Sequence, residues 1–243
     1  MRTDFKLMKR SGLFALTVCF LMSVVEANAQ FEGIVVSKNL TTDETGAVLE
    51  YVMTMWIRQD MVKIETKSDG SLPTATMIYR NDKHVIWLLN EDERSYVEMR
   101  QDENDQHIRP PGVPGGEEKY SIKKTGKKKT ILGYPCEQVV ISRAGVHTEL
   151  WGTTKLGSLF HAISKGLGEE HAEVANGWTD EVMKMGMYPL SSATRVDGRV
   201  MESQEVTKIE TGSIPINMFE LPPDYRKQKV DEMFEGPMRD EEK

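Results

Sequence analysis

Apolar and polar residues alternate along most of this chain, and that alternation predicts strands. Residues 31–38 alternate loosely and run into a polar turn around Asp43 and Gly46. Residues 47–58 form a long strand pattern. Tyr51, Met53, Met55 and Ile57 fall on one face, and Val52, Thr54, Trp56 and Arg58 on the other. Gln59-Asp60 reads as a tight turn, and residues 61–66 return with Val62 and Ile64 opposite Lys63 and Glu65. The meander continues through residues 74–80, 84–90 and 94–99, with Asn81-Asp82-Lys83 and Glu91-Asp92-Glu93 as turns. Connections this short join antiparallel neighbours, because a parallel crossover needs a dozen residues or more. Residues 100–119 break the pattern with a polar, Pro/Gly-rich surface loop. Strand patterns resume at 130–134, 136–143 and 147–151.

The period changes after Trp151. Leu156, Leu159, Phe160, Ile163 and Leu167 form one apolar helical stripe, with Thr153 or Thr154 to cap it and Gly166 and Gly168 to stop it. A weaker helical stretch covers 179–185, with Trp178 and Val182 on one side. Strand patterns at 189–196 and 199–209 then flank Asp197-Gly198, the strongest hairpin signal in the chain. Residues 214–219 read as a further strand, and the charged residues 226–243 as a frayed, disordered tail. The expected fold class is mainly β (α+β): a curved antiparallel sheet or half-barrel wrapped around one or two helices. A sheet this long must curl or close to protect its edges.

The first 29 residues set the compartment. Arg2, Lys6, Lys9 and Arg10 precede an apolar run over 13–25, and Ala27-Asn28-Ala29 offers a small-x-small cleavage site. A signal peptide cut before Gln30 is expected, leaving a single β-rich domain over 30–225 in a periplasmic or secreted protein. The run falls short of the roughly 20 apolar residues of a transmembrane helix, so no span is expected after cleavage. A lipoprotein signal at Cys19 is disfavoured by Val18, which occupies a position that should be small. Cleavage removes Cys19, and Cys136 is then a lone thiol that cannot form an intrachain disulfide. It reads as a small buried hydrophobe beside Val139, Val140 and Ile141.

Charge and composition narrow the partners. Removing residues 1–29 takes four of the 31 basic residues and two of the 38 acidic ones, so the net charge moves from −7 to −9. Nucleic acid is a poor partner for that balance. Methionine is frequent, at 15 in the full chain. Its flexible thioether suits either a surface that accommodates varied apolar shapes or ordinary core filling.

Catalytic and metal signatures are weak. No Gly-x-Ser-x-Gly elbow occurs, and His84, His107, His147, His161 and His171 lack metal-ligand spacing. No enzyme activity, cofactor or metal is expected. The basic run from Lys123 to Lys129 fails as a phosphate loop, with Ser121 where the first Gly should be. It reads as a solubilising hairpin turn, or as a tip that touches anionic headgroups.

Two phrases carry a family resemblance. Ile131-Leu132-Gly133-Tyr134-Pro135-Cys136 resembles the I-x-G-Y-x-C phrase of a secreted bacterial family, domain of unknown function 4412. Phe219-Glu220-Leu221-Pro222-Pro223-Asp224-Tyr225 resembles its F-x-L-P-x-x-Y ending; Pro189-Leu190 and Glu205-Val206-Thr207 also fit. The resemblance covers residues 31–225. It implies similarity to LolA/LolB-like lipoprotein carriers, with a half-barrel around helices and an apolar cavity that in the carriers holds acyl chains. No catalytic residues come with it, and fold analogy does not establish function.

The expectation is an exported envelope protein that binds a lipid or acyl chain, with Met53, Met55, Trp56, Trp87, Leu159, Phe160 and Ile163 lining the cavity. The alternative is a structural or adaptor protein with a filled core, acting on an envelope protein partner.

Overall fold

The computed structural model describes residues 31–43, 45–68, 74–100, 120–156, 159, 163, 182 and 184–229. Twelve strands run in chain order: β1 (Gly33–Thr42), β2 (Val48–Arg58), β3 (Met61–Ser68), β4 (Ala75–Arg80), β5 (Val85–Asn90), β6 (Ser95–Arg100), β7 (Ser121–Ile131), β8 (Tyr134–Arg143), β9 (Val146–Thr153), β10 (Tyr188–Val196), β11 (Arg199–Thr211) and β12 (Arg226–Gln228). They form one open sheet in the order β12-β6-β5-β4-β3-β2-β1-β11-β10-β9-β8-β7. Two antiparallel meanders, β1–β6 and β7–β11, are thus sewn together along β1 and β11. A sheet this wide coils under its own right-handed twist.

The seam explains one glycine. A Cβ at Gly33 would collide with the carbonyl oxygen of Glu210 on the partner strand. Only hydrogen fits that close approach.

Both edges are blunted. One edge is the three-residue β12, parallel to β6. The other is β7, which carries Lys123, Lys124, Lys127, Lys128 and Lys129 and an irregularity between Lys124 and Lys128. Charged side chains and bulges are the usual protection of an unpaired strand edge.

Four expectations need correction. The basic run is an edge strand, not a turn; the turn is Leu132-Gly133, so the strand expected at 130–134 is split across it. Residues 214–219 do not form a strand, because Ile216–Phe219 is a 3-10 turn started at Pro215, which has no N–H to give a ladder. The tail is not frayed from its start, since Arg226–Gln228 pairs with β6. His84 has φ 53° and closes a turn before β5. Asp197-Gly198 does join β10 and β11, with positive φ at both residues as a type I′ turn requires.

The expected helices fall largely outside the described residues. Leu159, Ile163, Val182 and Lys184 have helical backbone. Leu156 sits in a 3-10 turn, Thr154–Leu156. No helix among the described residues is long and apolar enough to cross a membrane. The candidate signal at 1–29, the loop at 101–119 and residues 230–243 also lie outside them.

Candidate functional site

Strand alternation gives β1–β6 two faces, and each carries an apolar core. On the first, Val35, Met55, Ile64, Met77, Leu88 and Val97 stand opposite one another in consecutive pairs from β1 to β6. A second row beside it runs through Ile57, Val62, Tyr79, Ile86 and Met99. Cross-strand neighbours at this spacing touch, so the two rows form one continuous apolar band.

The band is covered unevenly. Val35, Ile57 and Val62 are fully buried and Val97 is 1% exposed, whereas Met77, Tyr79, Leu88 and Met99, with Met53 in the adjoining row, are half-buried. The Tyr79 hydroxyl lies 3.6 Å from the Met77 sulfur as donor, and burial pushes its pKa up, so it stays neutral. Leu156 and Leu159 belong to this core, and Ile163 packs against it.

Uncharged polar groups follow Val35 along β1, while the apolar core itself continues across β11 and β10 through Val206, Ile209 and Leu190. Ser37 lies opposite Met53 on β2 and Val206 on β11, and Asn39 Nδ2 donates to Ser37 Oγ at 3.0 Å. Further along, the hydroxyls of Thr148 and Thr194 meet at 2.9 Å. These buried polar groups are satisfied within the protein, as their burial demands.

The opposite face is closed by the chain's own C-terminal segment. Ile214 and Phe219 form one core with Met61, Ile78, Val85, Trp87 and Leu89, and Leu221 and Tyr225 pack against it. Polar contacts fasten the segment. Arg58 Nη1 donates to the Ile214 carbonyl at 2.6 Å, and Glu32 Oε1 accepts from the Ile214 N–H at 2.7 Å. Arg80 reaches Asp82, the Phe219 carbonyl and Glu220. Glu98 accepts from Lys227 at 2.9 Å and from the Trp87 indole at 3.1 Å, and the two bonds, Lys227 first, hold its carboxyl below the usual range.

This arrangement divides the seven residues expected to line one cavity. Met53, Met55, Leu159 and Ile163 belong to the first face. Trp56 and Trp87 belong to the strapped face, so they cannot share a cavity with Met53 and Met55. The reason is the period of a strand: Met55 and Trp56 are adjacent and must point apart. Phe160 lies outside the described residues. Sequence reasoning misses Met77, Tyr79, Leu88 and Met99; alternation in β4–β6 and the antiparallel register place them beside Met53 and Met55.

Among the described residues no group of three or more His, Cys, Asp or Glu side chains could hold a metal ion. Cys136 is 1% exposed, its thiol points at the Tyr134 carbonyl at 3.4 Å, and burial pushes its pKa up.

Comparison of the sequence with known families finds a match over most of the chain. The model of a family described as Domain of unknown function (DUF4412) matches residues 31–225. No curated protein matches. Among solved structures, the chain is similar to an uncharacterized conserved protein from Thermus thermophilus, at 11% identity and TM-score 0.48 over 84% of this chain and 94% of that one. It is also similar to PNGF-II, at 12% identity and TM-score 0.36 over 84% of this chain and 32% of that one. A LolA superfamily protein from Nitrosomonas europaea follows at 7% identity and TM-score 0.33, over 79% and 91%. With TM-scores below 0.5, none of these likenesses bears on function.

Proposed function

The chain belongs to the family of domain of unknown function DUF4412, and on that footing we propose that it is an exported envelope protein that binds an apolar ligand against the first face of β1–β6. One observation carries this reading. The chain covers one face of the sheet with its own C-terminal segment, while the other keeps a two-row apolar band whose Met77, Leu88 and Met99 are only half-buried. A protein that can close one face and leaves methionine half-covered on the other has a surface suited to varied apolar shapes.

The ligand class follows from the lining. The rows contain no charged side chain, so binding draws on burial, worth about 0.8 kcal/mol for each methylene removed from water. A lipid or acyl chain fits, its tail along the band and its polar end toward Ser37 and Asn39. Leu156, Leu159 and Ile163 pack with Val35, Met55 and Ile64 and contribute cover at that end of the band. The role is binding without a chemical step. The signal pattern in residues 1–29 supports a periplasmic or secreted location.

The rival reading, a structural or adaptor protein with both faces filled, draws on the strapped core around Trp87 and Phe219. Lipid mass spectrometry separates the two. Protein purified without detergent, then denatured and extracted, should release a lipid or fatty acid in stoichiometric amount. Clean protein that also fails to take up a fluorescent fatty acid would leave the filled-core reading standing.

A further inference from the structure

The solvent side of the β7–β8 hairpin has a chemistry of its own, although Ile131, Tyr134 and Cys136 near its turn pack into the same core as Met55 and Ile57. Lys123, Lys124, Lys127, Lys128, Lys129 and Arg143 are its basic residues, and Glu137 is its one acidic residue, in a chain whose net charge is −7. Among the described residues, Glu137 is the carboxylate that pairs with this run, 3.3 Å from Lys128. Lys127, Lys128, Lys129 and Thr130 are all exposed. The pairing of β8 with β9 stops at Glu137 and Gly152, so Tyr134, Pro135 and Cys136 pair with β7 alone, with Cys136 still buried in the core.

The tip residue is unusual. Leu132-Gly133 has φ of 50° and 81°, the same values as Asp197-Gly198 at the β10–β11 turn. Such turns favour Asn, Asp or Gly at the first position. Asp197 obeys that preference. Leu132 violates it, with a bulky apolar side chain in the left-handed region and 45% exposed. Asn would suit both the turn and the solvent better.

We infer that this hairpin docks the protein on an anionic lipid bilayer, with the lysines against headgroup phosphates and Leu132 reaching below them. Lysines near an anionic surface and an apolar residue at the headgroup boundary are the two parts of such a contact. The remainder of the acidic chain is repelled by the same surface, which orients the hairpin toward it. A soluble polyanion would engage the lysines and ignore Leu132, so the exposed leucine favours the bilayer. The inference does not require a ligand on the apolar band.

Vesicle co-sedimentation of the full chain tests it, always comparing variants with wild type so that the N-terminal segment contributes equally. The vesicles are phosphatidylcholine alone or equimolar phosphatidylcholine and phosphatidylglycerol. Wild type should bind the anionic vesicles and bind neutral ones far less. K127Q/K128Q should weaken anionic binding by about twenty-five-fold, about fivefold for each charge removed. L132N, which suits the turn, should weaken it several-fold with an unchanged or raised melting temperature. Equal binding to both vesicle types, no binding, or wild-type binding by both variants would overturn the inference. So would heparin competition that L132N leaves unaffected while that variant still binds vesicles fully.

Discussion

Arg80 and Phe219 stand 139 residues apart in sequence, yet Arg80 Nη1 donates to the Phe219 carbonyl at 3.1 Å. The same guanidinium forks onto Asp82 at 2.8 and 2.7 Å and reaches Glu220 at 2.6 Å, with its side chain only 4% exposed. It lies 5.9 Å from the centroid of Trp87. One buried cation thus ties the end of the β4 strand to the C-terminal segment.

Replacing Arg80 should therefore loosen the strap. Arg80→Ala removes a charge-assisted fork and strands a buried carbonyl, a loss of about 2–3 kcal/mol. The half-exposed Asp82 and Glu220 can turn to water, which keeps the figure below that of a fully buried pair. Arg80→Lys should recover less than half, because an ammonium cannot fork. Urea denaturation of the two variants checks both figures; a stability within error of wild type for Arg80→Ala would refute the role.

The division of the two faces predicts which substitutions touch ligand uptake. Met77→Gln puts an amide into the apolar row and should lower affinity for a fluorescent fatty acid by about tenfold, the effect of losing roughly 1.4 kcal/mol of burial. Trp87→Phe, on the strapped face, should leave uptake unchanged while costing stability. The reverse pattern in a titration would place the ligand on the wrong face.

Acid should release the strap before the sheet. Lys227 and Trp87 hold the Glu98 carboxyl below its ordinary value of 4.5. A depressed carboxylate contributes stability above its unfolded pKa and loses it as pH falls through the folded one. The contribution is thus complete above about pH 4.5 and disappears below it. Melting temperatures of wild type and Glu98→Gln should differ at pH 7 and converge toward pH 3; a constant gap across that range would contradict the linkage.

Cys136 should be inert in the folded protein. It is 1% exposed and burial raises its pKa, so little thiolate is present or reachable. Iodoacetamide labelling followed by peptide mapping should find this residue unmodified in native buffer and fully modified in denaturant. Rapid native labelling would mean an accessible thiol.

Much of the sheet is legible in the sequence because strand alternation and turn chemistry are local. The faces of β2, the turn at Asp197-Gly198 and the burial of Cys136 all follow from residue order. The failures have local causes too. Five lysines disguise β7 as a turn, since the pattern of an unpaired edge is set by what it must repel rather than by what it packs against. The approach to Phe219 looks like a strand until its target is known, because its fold is dictated by the Trp87 and Arg80 surface waiting for it. For the site, gathering large apolar residues without asking their parity misleads. Met55 and Trp56 cannot line one cavity on a regularly paired strand.

Photo-crosslinking with a diazirine fatty acid tests the central claim most directly. The account predicts saturable labelling that maps to peptides holding Met53, Met77, Leu88 and Met99, competed by unlabelled fatty acid. Labelling that falls on the strapped face around Trp56, Trp87 and Phe219, or that never saturates, would contradict it.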